Sequence, residues 1–179
     1  MAGQTIELRD AAPGDIEQIA EISRHYVNNS TANLEETPPT TEAILATVNN
    51  IFSQGYPFIV AVQDTTICGY AYMGPFNIRS GYRFCCEDSI YLLPGHAGKG
   101  LGKRMLEILI QRLKVNAKIT QVLAKISIPP QAALEDVPSC RLHLALGFTE
   151  AGRLKNVGYK FGEWLDVVIL QLDLEPAGE

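Results

Sequence analysis

The stretch Pro94-Gly95-His96-Ala97-Gly98-Lys99-Gly100-Leu101-Gly102-Lys103-Arg104 sets closely spaced glycines between an apolar, strand-like run and an amphipathic helix. Glycine lets the backbone turn with no Cβ in the way, so successive N–H groups can converge on an anion at the positive end of the following helix. Lys99, Lys103 and Arg104 add cationic charge at the same point. The chemistry served by this spacing is phosphate binding. A Walker A loop would need glycine at position 97 and Ser or Thr after Lys103, where the chain has Ala97 and Arg104. A dinucleotide fingerprint started at Gly98 and Gly100 would need glycine where Lys103 stands.

Just upstream, Glu87 and Asp88 are adjacent acids after Phe84-Cys85-Cys86. Acids are disfavoured in strands, and at least one of the two must point toward the less exposed face. Arg79 and Arg83 flank Tyr82, and a guanidinium fork suits a carboxylate or a phosphinate; an exposed loop charge is the alternative.

These groups need a scaffold, and the apolar patterning supplies one. Residues 5–9 read as a strand. Asp15 then caps a helix, with Gln18 reaching back and Ile16, Ile19, Ala20, Ile22, Tyr26 and Val27 on its apolar side. A second helix begins near Thr41, turns Ile44, Leu45, Val48, Ile51 and Phe52 inward, and stops at Gly55. Runs 58–62 and 67–73 form a hairpin, and 82–93 is a long strand that delivers the chain to the glycine loop. The spacing predicts a helix over 101–115, a strand over 120–127, and a helix ending at Leu146-Gly147-Phe148. Strands 148–159 and 164–174 close the chain. The order is β-α-α-β-β-β-α-β-α-β-β, an α/β fold with no repeat or linker: a single domain over 1–179 with a core of about 5–174.

With 179 residues, 46% hydrophobic and 20% charged, the chain can bury one substantial core. A net charge of −5 disfavours nucleic acid, which needs a broad basic face. Cys68, Cys85, Cys86 and Cys140 form no C-x-x-C and read as small buried hydrophobes, and no metal is expected. No apolar run is long enough to span a bilayer, so no membrane partner is expected and the cytoplasm is the expected setting.

The glycine loop resembles the pyrophosphate loop of the GNAT superfamily of N-acetyltransferases, Gln/Arg-x-x-Gly-x-Gly/Ala, with Gly100 and Gly102 at its glycines and Ala97 departing from its first position. The element order is that superfamily's. Further segments resemble its phosphinothricin and methionine-sulfone N-acetyltransferase branch: Gly69-Tyr70-Ala71-Tyr72, Gly74-Pro75-Phe76, Arg79 with Tyr82-Arg83, Glu87-Asp88-Ser89-Ile90-Tyr91, Leu142-His143 with Leu146-Gly147-Phe148, and Lys160-Phe161-Gly162 with Trp164-Leu165-Asp166.

The resemblance implies a mixed, mostly antiparallel sheet flanked by helices, with acetyl-CoA lying where the fourth and fifth strands splay apart. The backbone of Leu92 and Leu93 would pair with the pantetheine arm, while Gly98, Lys99, Gly100, Leu101, Gly102, Lys103 and Arg104 grip the pyrophosphate. It implies Glu87 as general base, with a solvated strand carboxylate as the alternative, and His143 as the acid that protonates the departing thiolate. A histidine can donate near neutral pH to a thiol of pKa about 8.5; a hydrogen-bonded helix histidine is the other reading. Tyr26, Thr31 and Glu35, with Arg79, Tyr82 and Arg83, would line the pocket for a small amine, and a homodimer is implied. Asp136 falls where the branch has a cofactor-contacting asparagine, and an acid there would repel phosphate. A silent acyl-CoA-binding module and a protein or peptide N-acetyltransferase are the alternatives.

Overall fold

The computed structural model describes residues 5–115 and 118–174, so the outermost residues of the expected 1–179 domain lie outside it. Seven strands form one sheet: β1 (Glu7–Asp10), β2 (Phe58–Gln63), β3 (Thr66–Pro75), β4 (Cys85–Leu92), β5 (Gln121–Ile128), β6 (Thr149–Lys160) and β7 (Glu163–Asp173). Four helices accompany them: α1 (Ile16–Asn29), α2 (Thr41–Ser53), α3 (Leu101–Val115) and α4 (Pro138–Leu144). The sheet order is β1-β2-β3-β4-β5-β7-β6, and every neighbouring pair is antiparallel except β4 with β5. The α/β class, the element order and the mixed sheet are as the sequence implies.

Strand alternation divides the core in two. Cys86, Val122, Ala124, Ile126 and Val168 meet Met105, Leu106 and Leu109 of α3 on one face, and Phe58, Val60, Ile67 and Tyr70 meet Ile19, Ile22, Val48 and Ile51 of α1 and α2 on the other. The one parallel contact is short. β4 pairs with β5 only from Cys85–Gln121 to Glu87–Leu123, yet both strands run on, to Leu92 and Ile128. Beyond Glu87 the two strands part, and β5 stays paired to β7 as far as Asp166. The gap that opens is flanked by unpaired strand edges, and it positions everything that follows.

Several local expectations are corrected. Asp15 does not cap α1: its carboxylate takes both guanidinium nitrogens of Arg9, at 2.6 and 2.8 Å, and the Ala12 N–H. A bidentate charged pair outcompetes a single cap bond. Gln18 reaches out rather than back, donating to the Thr65 carbonyl and accepting from the Ile67 N–H at 2.8 Å, which fastens α1 to the β2–β3 hairpin. Leu45 and Phe52 are each 38% exposed rather than inward. They lie one residue, about 100° of helix, past Ile44 and Ile51, which take the buried face. The strand expected to start at Tyr82 starts at Cys85, because Ser80–Tyr82 is a 3-10 turn closed by Tyr82 N–H to Arg79 O and Arg83 N–H to Ser80 O.

Candidate active site

On the α3 side of the splay lies a cleft of about 460 Å³, lined by Ile90 and Leu92 of β4, the glycine loop and α4. Gly98 and Gly100 hold φ at +77° and +79°, and a Cβ at either would point into open space, so the loop keeps its amides bare. Leu101 is 3% exposed and points into the core, leaving only its backbone to the loop. Lys103 faces the cleft, whereas Lys99 folds onto the Gly95 carbonyl at 2.8 Å and Arg104 turns away to the Ile6 carbonyl. The cleft also has a cation that the sequence reading missed, Arg141 of α4. Asp136, feared as a repulsive neighbour, sits in an exposed 3-10 turn and is not among the lining residues.

The strand edge needs a similar revision. The N–H of Leu93 donates to Cys68 and its carbonyl accepts from His96, so both its polar groups are used within the chain. Ladder alternation turns those of Ile90 and Leu92 toward the gap instead. Leu92 meets the Tyr26 hydroxyl there, which donates to its carbonyl at 3.0 Å and accepts from its N–H at 3.3 Å. Tyr26, expected in the acceptor pocket, thus belongs to the cofactor side. The bare loop amides, the open edge and two cations suit a pantetheine-linked pyrophosphate. Valine at position 100 would force a β-branched residue to positive φ and fill the cradle. Gly100→Val is expected to weaken acetyl-CoA binding about tenfold or more, as read by calorimetric titration.

The adjacent acids split across the sheet. Asp88 faces α4, where its Oδ2 lies 3.0 Å from His143 Nε2, with both side chains only 3% exposed. His143 Nδ1 is 2.7 Å from the Ser139 carbonyl, which only accepts, so Nδ1 carries a proton. Burial pulls His143 down, but the hydrogen bond and charge of Asp88, with Ser139, outweigh it and raise its pKa. Asp88 Oδ1 is buried without a hydrogen-bond partner among the described residues.

Glu87 points to the opposite face, where its Oε2 meets Lys125 Nζ of β5 at 2.8 Å. Burial pushes its carboxyl above the ordinary carboxylate range; the Lys125 bond and charge oppose this, and the charge of Asp88 adds to it. A small cavity of about 110 Å³ holds Glu87, Asp88, Lys125 and His143 together where the strands part. It shares Ala32 and Ile90 with the cofactor cleft. On its other side, Ala32, Tyr91 and Lys125 also line a cavity of about 250 Å³ with Asn33 and Ser127. Asn33 and Tyr91 continue into a third, of about 380 Å³, walled by Phe58, Tyr70 and Tyr72 under α1 and α2.

The segment between α1 and α2 roofs these spaces. Buried Lys160 donates to the Ser30 and Asn33 carbonyls and Ser127 to the Thr31 carbonyl, which pins the loop down. Thr31 is therefore held by its backbone, and Glu35 lines the third cavity. Arg79, Tyr82 and Arg83 are not brought to Glu87: all three are exposed, line none of these cavities, and Arg83 stacks on Phe84 at 4.2 Å. Asp88, Lys125 and Arg141 were missed as site residues. Asp88 left a trace as one of two adjacent strand acids, and Lys125 as the sole charge in Gln121–Ile128; Arg141 left none.

A cleft edged by bare loop amides and two cations, opening through a strand splay onto a carboxylate and a roofed pocket, suits an acyltransferase of the GNAT type. Residues 8–169 match the family model for the acetyltransferase (GNAT) domain, and the chain belongs to that family. It is 38% identical over 160 residues to the phosphinothricin N-acetyltransferase of Alcaligenes faecalis, covering 89% of this chain and 78% of that one. It is 34% identical over 168 residues to the L-methionine sulfoximine/L-methionine sulfone acetyltransferase of Salmonella typhimurium, covering 94% of each. A crystal structure of a GNAT phosphinothricin acetyltransferase from Sinorhizobium meliloti in complex with acetyl-CoA superposes with a TM-score of 0.87 at 40% identity, over 95% of this chain and 89% of that one. The protein is an N-acetyltransferase that uses acetyl-CoA.

Proposed function

We propose that the acceptor is the α-amino group of a small amino-acid-like molecule of the phosphinothricin or methionine sulfone and sulfoximine type, and that transfer is direct, with Glu87 as general base. The observation that carries this reading is the place of Glu87: a carboxylate at the point of strand separation, between the acetyl-CoA cleft and the roofed cavities, with its proton affinity raised by burial. The similarity to enzymes named for such acceptors supports the substrate class.

Acetyl-CoA supplies the acyl group as a thioester. Glu87 takes the proton of the acceptor ammonium and leaves a neutral nitrogen with a lone pair. The raised pKa suits this task, since a carboxylate of ordinary pKa is a poor match for an ammonium. His143 has both ring nitrogens on acceptor oxygens, so it holds Asp88 in place rather than meeting the departing thiolate, which takes its proton from solvent. Tyr26 and Arg141 hold the cofactor side, and Thr31, Glu35 and the Lys160 anchor shape the acceptor side. Arg79, Tyr82 and Arg83 line none of these cavities and take no part in holding the acceptor.

The chain acts as one catalytic domain, in the cytoplasm, where its four free cysteines are in keeping with a reducing setting. Exposed Leu154, Val157, Tyr159 and Trp164 on the β6–β7 hairpin, at the edge of the sheet, support a homodimer through that edge. Competition between L-methionine sulfone and a basic, histone-like peptide for acetylation separates the small-acceptor reading from a peptide one. Product is expected on the amino acid; product confined to the peptide would reject it.

A further inference from the structure

We propose that Lys125 is a specificity-determining residue: with Glu87 it forms a paired cation and anion that reads the zwitterion of an α-amino acid, accepting the carboxylate on Lys125 while Glu87 receives the ammonium. The inference rests on the small-acceptor reading above and goes further, to how such an acceptor is told from a plain amine.

Lys125 is the one cation among the three residues, with Ala32 and Tyr91, that line both the cavity holding Glu87 and the neighbouring one roofed by Ala32, Asn33 and Leu34. Its side chain is 44% exposed, against 25% for Glu87, so its ammonium can leave Glu87 for the larger space on its flexible stem. The other cations lining the described cavities, Lys103 and Arg141, belong to the cofactor cleft. The arginines that the sequence offered for anion binding, Arg79 and Arg83, line none of the acceptor-side cavities. The cationic partner for an acceptor carboxylate is therefore Lys125.

An α-amino acid carries ammonium and carboxylate on one carbon, and Lys125 Nζ and Glu87 Oε2, now in contact at 2.8 Å, must part to admit it, which the exposed lysine stem allows. Inserted head to tail, the acceptor exchanges one internal ion pair for two. The exchange also has a consequence for the chemistry. While Lys125 sits on Glu87 it stabilises the carboxylate and weakens it as a base. Once Lys125 turns to the acceptor carboxylate, the cation left facing Glu87 is the acceptor's own ammonium, whose proton is the one to be moved. The proton passes from the acceptor nitrogen to the Glu87 oxygen; Lys125 stays protonated and the acceptor carboxylate stays charged throughout. A plain amine leaves Lys125 on Glu87 and the base restrained. The remaining ionisable groups acting on Glu87 are Asp88, Cys85, Cys86 and Tyr91 of its own strand and Tyr72 of β3, and His143 of α4 lines the same cavity but is held by Asp88. The segment between α1 and α2 contributes Ala32, Asn33 and Leu34, none of which titrates.

The test compares kcat/KM for L-methionine sulfone and for its decarboxylated amine in the wild type, Lys125→Met, Lys125→Gln and Lys125→Arg, with thermal unfolding as the check on folding. The wild type is expected to prefer the acid about 100-fold, and in Lys125→Met and Lys125→Gln that preference should shrink to within about threefold, chiefly through KM for the acid. Lys125→Arg should restore part of it. A second readout is the Glu87 carboxyl titration followed by carbon NMR. Its midpoint should rise in Lys125→Met, which removes the cation that holds the carboxyl down. A folded Lys125→Met that keeps the full preference would overturn the inference while leaving the acceptor class standing. A wild type that acetylates neither compound rejects the acceptor class, and a Glu87 midpoint unmoved in Lys125→Met then rejects the role of Lys125 as well.

Discussion

Glu87→Gln is expected to lower kcat by about 10²- to 10³-fold while leaving the dissociation constant of acetyl-CoA within about twofold of the wild-type value. The amide keeps the size and shape of the side chain and can still face Lys125, but it cannot take a proton from the acceptor. Cofactor binding is expected to be spared because Glu87 does not line the cleft beside the glycine loop. The pH dependence follows from the same group. Glu87 must be ionised to act, and burial raises its pKa, so activity should fall on acidification in a range above that of an ordinary carboxylate. Glu87→Gln should abolish that acid limb in its residual rate. A variant with the wild-type rate across pH would remove Glu87 from the mechanism.

The largest effect on stability is expected from Asp88→Ala. The Asp88–His143 pair is nearly solvent-free, and His143 also holds the Ser139 carbonyl in α4. Without Asp88, burial drives the imidazole neutral, its Nε2 loses its partner, and a cavity opens behind β4. A loss of about 3 kcal/mol is expected, equivalent to roughly 10 °C in Tm for a chain of this size. The pair also sets a direction with pH. The folded-state pKa of His143 is raised, so its contribution is full below the unfolded value near 6.5 and is lost as pH rises through the folded value. Wild-type stability should therefore decline over that window, and Asp88→Ala should lack the decline; chemical denaturation at a series of pH values measures both. An Asp88→Ala protein as stable as the wild type, with the same pH slope, would mean the pair makes no net contribution to stability.

The glycine loop was legible because its information is local: positive-φ glycines, a strand before and an amphipathic helix after, all within one continuous segment. Strand order was legible for the same reason, since alternation and turn residues mark each element in turn. What the sequence could not display is where distant strands stop pairing. The separation of β4 from β5 after Glu87 decides that Glu87 meets Lys125 on one face and Asp88 meets His143 on the other, across 38 and 55 positions of chain. Gln18 and Tyr26 misled in a similar way, each reading as a local helix residue while its side chain binds a strand 49 or 66 positions away. Arg79 and Arg83 looked like acceptor ligands because they precede Glu87 in sequence. The 3-10 turn at Ser80–Tyr82 instead carries them away from the cavities.

The most direct measurement is thiol release from acetyl-CoA by the wild-type protein at several pH values, with phosphinothricin, L-methionine sulfone, L-methionine sulfoximine, ordinary amino acids and a lysine peptide as acceptors. Release with the amino-acid analogues, rising with pH as Glu87 ionises and absent with the peptide, is the predicted result. Tight acetyl-CoA binding with no release from any acceptor would contradict it and leave a cofactor-binding module in place of an enzyme for amino-acid-like amines.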